Sequence, residues 1–168
     1  MVTVHLWLDK ESPDFKLHQV PKIHSITTHV RSKPLNKSYL SHMIHTITTA
    51  TKPCVHIFVV GNRDFRDVKP AWLIWAIDFL GQINQLKLES DFVCIDLTIH
   101  SGAFTRTFKK KLRSISHRNP CVTLKDLGVT LRPEDLKYGF YLSKSAARWV
   151  EKKIIQSIYR SIIKLSRA

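Results

Sequence analysis

Residues 68–80, Val-Lys-Pro-Ala-Trp-Leu-Ile-Trp-Ala-Ile-Asp-Phe-Leu, constrain this chain more than any other stretch. Pro70 suits the first turn of a helix, where a missing N–H leaves no carbonyl unpaired. Leu73, Ile74, Ile77 and Leu80 recur at helical spacing, Trp72, Trp75, Ala76 and Phe79 fill most of the remaining surface, and Gly81 is placed to end the helix. A helix apolar on every side is either buried or spans a membrane. Spanning takes roughly 20 apolar residues, so this one is too short. It is expected at the centre of the core, with sheet on one side and more structure or a partner on the other.

The neighbouring segments supply that sheet. Residues 2–8 alternate Val2, Val4, Leu6 and Leu8 against Thr3, His5 and Trp7, which is strand periodicity. Such a strand pairs either with its own sheet or with a neighbouring molecule's edge. Residues 22–30 read as a second strand and residues 53–60 as a buried one. Between them, Leu40, Met43, Ile44 and Ile47 mark one stripe of a helix that Ser38 is placed to cap. Residues 92–100 form the strongest strand pattern, turned by Ser101 and Gly102 into a hairpin partner at 103–108. Residues 109–120 are basic, end at Pro120 and read as a surface loop. Pro133 starts a helix, and residues 139–143 read as a strand. From 146 to 165, Val150, Ile154, Ile158, Ile162 and Leu165 share one face of a basic amphipathic helix. That helix either docks on its own sheet, lies on a membrane surface or meets a partner.

Charge narrows the function. The chain of 168 residues has a net charge of +14, and almost all of it lies late: residues 101–168 hold 16 Lys and Arg against four Asp and Glu. The partner is therefore expected to be anionic, RNA or a membrane leaflet. Arg106, Lys109, Lys110, Lys111, Arg113 and Arg118, flanked by Phe104 and Phe108, are the first candidates. Lys153, Arg160 and Lys164 on the last helix extend the set. Catalytic signatures are not found: the chain has no Walker loop, GxGxxG, GxSxG or HExxH. Asp64 and Asp67 read as turn residues in surface ion pairs with Arg63 and Arg66. The histidines lack the flanking ligands of a metal site, so neither metal nor cofactor is expected. Cys54, Cys94 and Cys121 read as reduced thiols.

The order of segments also resembles a known family. Residues 30–34 (Val-Arg-Ser-Lys-Pro) close a strand ahead of the helix at 39–47. Residues 69–81 run from Lys-Pro-Ala-Trp to Phe-Leu-Gly, residues 95–99 read Ile-Asp-Leu-Thr-Ile, and residues 138–150 run from Tyr-Gly-Phe-Tyr-Leu-Ser-Lys to Arg-Trp-Val. In that order they are similar to the globular core of rhabdovirus matrix proteins. The long Lys-rich tail and Pro-Pro-x-Tyr motif of the animal-virus members do not occur here, which points to a plant-infecting relative of the cytorhabdovirus kind.

The resemblance implies an α+β fold, a twisted antiparallel sheet with two helices packed on it, followed here by the basic C-terminal amphipathic helix. It divides the chain into an N-terminal strand-like arm (1–20), a matrix-like domain (21–150) and the C-terminal helix (151–168). It makes residues 146–150 part of a strand pair. It implies a non-enzymatic structural protein that self-associates, condenses the viral ribonucleoprotein and links it to an anionic membrane surface and a glycoprotein tail. Val4, Leu6, Trp7 and Leu8 would then mediate self-association. The expected locations are the virion and the host cytoplasm at membranes, with nuclear entry. The alternative is a small basic RNA-binding regulator such as a silencing suppressor.

Overall fold

Residues 54–60 are apolar at nearly every position, which suits a strand covered on both faces, and such strands belong to parallel sheets. The structure, a computed structural model, follows that logic. It describes residues 2–17, 20–66, 69–86, 89–99, 102–138 and 141–167. Asp67, Val68, His100, Ser101, Gly139 and Phe140, on which expectations fell, lie outside the described residues. Five parallel strands, β1 (Val2–Asp9), β2 (Ile23–Arg31), β3 (Cys54–Val60), β4 (Ser90–Asp96) and β5 (Val122–Asp126), form one sheet in the order β2-β1-β3-β4-β5. The helices are α1 (Lys37–Thr49), α2 (Pro70–Ile83), α3 (Ala103–Arg118) and α4 (Lys144–Ser166). A short antiparallel pair, β6 (Leu136–Lys137) and β7 (Tyr141–Leu142), precedes α4.

Strand order decides which face each connection covers. The step from β1 to β2 runs toward one edge, and every later step runs toward the other. Parallel crossovers keep one hand, so reversing direction switches face. Accordingly Leu40 and Met43 of α1, Trp72 and Phe79 of α2, and Phe108 and Leu112 of α3 share a core with Trp7, Phe58, Phe92 and Val122. The β1–β2 connection sends Phe15, Leu17 and Val20 to the opposite face. There α4 completes the cover with Val150, Ile154, Ile158 and Ile162 over Val55, Ile57, Val93 and Ile95.

Several expectations are corrected by this arrangement. The sheet is parallel rather than twisted antiparallel, and the architecture is mixed α/β. Within the expected arm (1–20), residues 2–9 are not free, because β1 is hydrogen-bonded between β2 and β3. Val4, Leu6, Trp7 and Leu8, at 0%, 3%, 0% and 6% exposure, are sealed under helices on the two faces and have no surface to offer a second molecule. The C-terminal helix starts at Lys144, includes 146–150, and is part of the core rather than an appendage. Residues 103–108 and 109–118 are one helix, not a hairpin strand and a loop: Phe108, Leu112 and Ile115 sit one turn apart and dock on the sheet. Pro133–Asp135 makes only a short 3-10 turn. In α2 the chain runs through Gly81 to Ile83; Trp72 is buried and Trp75 half-buried, while Ile74 and Ile77 face solvent. Asn36, not Ser38, caps α1, its Oδ1 accepting the Tyr39 N–H at 2.9 Å.

Candidate anion-binding site

In parallel sheets of this kind ligands sit outside the carboxyl ends of the strands, where the strand order reverses. Here that point lies between β1 and β3, and a cavity of about 50 Å³ opens there beside Asp9, Ser12, Arg31, Asn62 and Arg63. Its charges are already committed to one another. Arg31 donates through Nε and Nη2 to the two carboxylate oxygens of Asp64, each at 2.7 Å, and from Nη2 to the Val59 carbonyl at 2.7 Å. Both side chains are buried. Asp64 also accepts the Gly61 N–H at 2.9 Å, and Arg63 pairs with Asp9 and the Ser32 carbonyl. Asp64 is therefore not in the surface pair with Arg63 expected from the sequence. The crevice acts as a pin that ties the ends of β1, β2 and β3 together.

A second set of acids closes the ends of β4 and β5. Asp96 is wholly buried, not on a polar strand face, and burial pushes its carboxyl up to about 6 against the opposing pull of Thr98 and Lys109. Lys109 Nζ lies 3.7 Å from Asp96 and 3.2 Å from Asp126, and Arg113 reaches Asp126 at 3.4 Å. Two of the expected anion-binding cations are thus neutralised within the fold. Arg106, Lys110, Lys111 and Arg118 project into solvent from α3.

The remaining candidates come together on the opposite layer. Lys153, Arg160 and Lys164 recur along one flank of α4, next to β5, which is an edge strand. Strand alternation turns Thr123 and Lys125 of β5 toward the same flank. The Lys125 ammonium is held below its usual range, first by burial and then by Arg160 and Lys153. Trp149 lies on this flank too, with the Lys153 ammonium 5.7 Å from its ring centre. Between α4 and β5 is a cavity of about 240 Å³, bordered by Asp91, Thr123, Lys125, Ser157, Arg160 and Lys164. Asp91 forms its acidic floor, accepting from Ser161 Oγ and from Lys164 Nζ at 3.0 Å. The helical period placed Lys153, Arg160 and Lys164; Lys125 and Ser157 join them only through the fold.

A further cluster was not foreseen. His29 stacks on Trp7 at 3.7 Å between ring centres, His5 Nδ1 lies 2.9 Å from His29 Nε2, and Trp7 Nε1 donates to His56 Nδ1 at 3.3 Å. His42 of α1 covers the group edge-on. His56 Nε2 is buried without a partner. Burial and the neighbouring imidazoles hold His29 at about 4 and His56 at about 3, so both rings are neutral at pH 7. Among the described residues no group of three or more His, Cys, Asp or Glu is placed to hold a metal ion, and no helix is long and apolar enough to cross a membrane. Compared with protein-family profiles, curated proteins and solved structures, the chain matches none.

Proposed function

We propose that this chain binds nucleic acid through the basic flank formed by α4 and β5 and does not transform it. One observation carries the reading. Lys125, Lys153 and Arg160 are gathered on one surface, and none of the three has an acidic partner among the described residues. Holding like charges together is unfavourable unless an anion joins them. Trp149, half-buried beside Lys153, places an aromatic ring next to these cations. Membrane insertion is disfavoured because the apolar face of α4 is already used in the core, with Val150, Ile154 and Ile158 at 0% exposure.

The matrix-protein reading, with self-association, ribonucleoprotein condensation and links to membrane and glycoprotein, draws on the order of segments and on the positive charge. Its implied sheet is not the sheet of this chain, and β1 is not available for exchange. The RNA-binding half of the expectation is the part carried forward.

Fluorescence anisotropy with single-stranded RNA across a salt series tests it. Replacing Lys153 and Arg160 together by Glu should weaken binding at least ten-fold. Losing two phosphate contacts should also make the salt slope shallower by about 1.4, at roughly 0.7 per contact. Replacing Lys110 and Lys111 by Glu on α3 should do much less. Equal losses from the two pairs, or none from the α4 pair, overturn the assignment.

A further inference from the structure

We propose that the cavity between α4 and β5 is a phosphomonoester pocket that receives the terminal phosphate of a nucleic-acid strand. The proposal rests on the reading above and adds a subsite to it. The cations bordering the cavity are Lys125, Arg160 and Lys164, and the one carboxylate is Asp91. Asp91 is already engaged by Ser161 and Lys164, so the local balance stays positive. Ser157 supplies the independent observation. It is 3% exposed, borders the cavity and makes no hydrogen bond to any described residue. Its Oγ is not sealed in the core but opens on the cavity, where it can donate to a ligand oxygen. Thr123 borders the same space from β5.

The pocket's charge favours an end over a passing strand. Val93 and Asp91 of β4 border it below, α4 on one side and β5 on the other, so it is enclosed by three elements. A terminal monoester carries close to two negative charges at neutral pH and three acceptor oxygens. An internal diester carries one charge and is tied to the chain on both sides. Arg160 gives the planar fork that suits a phosphate, Lys125 and Lys164 add point charges, and Ser157 donates from the helix. Downstream nucleotides would leave along the α4 flank past Lys153 toward Trp149. By helical rise, Trp149 to Arg160 spans about 16 Å, room for several nucleotides.

The experiment compares one short single-stranded RNA, labelled at its 3′ end, carrying either a 5′-phosphate or a 5′-hydroxyl, at one fixed salt concentration. Charge-assisted hydrogen bonds predict that the 5′-phosphate form binds on the order of ten-fold tighter. Ser157→Ala should shrink that preference by more than it weakens binding of the 5′-hydroxyl RNA. Arg160→Gln, at an exposed position, keeps the test valid should the Ser157 variant melt early; it should also shrink the preference. Equal affinity for the two RNAs overturns the pocket and spares the nucleic-acid reading. Failure to bind either RNA overturns both. Tighter retention on phosphatidic-acid vesicles than on phosphatidylserine vesicles, with no preference between RNA ends, overturns the strand-end assignment and gives the cavity to a lipid headgroup.

Discussion

Trp7 and the histidines around it turn proton uptake into a stability term. His56 is fully buried beside His5 and His29, and both His56 and His29 are held neutral well below the ordinary imidazole range. In the unfolded chain the same rings titrate near 6.5. Above that pH the two states bind equal numbers of protons, so the cluster contributes no pH dependence. As pH falls from about 6.5 toward 4, the unfolded state gains protons first and folding weakens. Asp96 works the other way. Its carboxyl, raised to about 6, takes up a proton in the folded state before the unfolded one does, which favours folding between about 6 and 3.8. Three histidines outweigh one aspartate. Urea midpoints should therefore fall between pH 7.5 and pH 5, with His56 alone contributing about 2 kcal/mol of the loss. His56→Phe should flatten the profile; an unchanged profile would show that the ring is not held neutral. None of this was legible beforehand, because His5, His29 and His56 meet only when β1 lies between β2 and β3.

Elements were easier to read than their partners. The run of strand, helix, strand, helix, strand from residue 22 to 99 was visible in the hydrophobic periods, and such alternation favours a parallel sheet. The expected antiparallel sheet came from the resemblance, not from those periods. Local pattern also cannot say that β1 inserts between β2 and β3, since that depends on which face the 10–22 connection can cover. α3 was missed because a few apolar residues at helical spacing are embedded in a basic run, so its outer face dominated the reading. The site followed the same division: helical period gave Lys153, Arg160 and Lys164, whereas Lys125 required knowing that β5 is an edge. One element junction has no slack. Gly128, just after β5, sits so close to the chain beyond β4 that a Cβ would lie 1.9 Å from the Thr98 carbonyl oxygen. Backbone must move to accept it, so Gly128→Ala should cost about 1–3 kcal/mol or more in urea unfolding. Thr98 also accepts from Lys109 Nζ at 3.3 Å, so the same variant should loosen the Lys109 contacts with Asp96 and Asp126. A wild-type midpoint in Gly128→Ala would mean the two segments are not held this close.

At the scale of the whole molecule, a net charge of +14 repels itself, and most of that charge lies after residue 100. Self-repulsion weakens the compact state, and salt relieves it, because the screening length drops from about 30 Å at 0.01 M to about 8 Å at 0.15 M. Salt should thus raise the melting temperature of the free protein while lowering its affinity for RNA. Relief of about 1 kcal/mol corresponds to a rise of roughly 2–4 °C for a domain of this size. The two effects share a location. Lys125, Lys153 and Arg160 crowd one flank, so a Glu at 153 or 160 adds an attraction to the folded state and removes one from the complex. A pair of exposed cations kept only for solubility would move stability and binding independently. Here Lys153→Glu with Arg160→Glu should melt higher than wild type in low salt, lose that advantage in high salt, and bind RNA more weakly throughout. Calorimetry of the free protein at both salt concentrations, set against the anisotropy titrations, reads both signs. A variant that binds more weakly and also melts lower in low salt would mean that Lys153 and Arg160 are structural cations rather than a charge cluster held open for an anion.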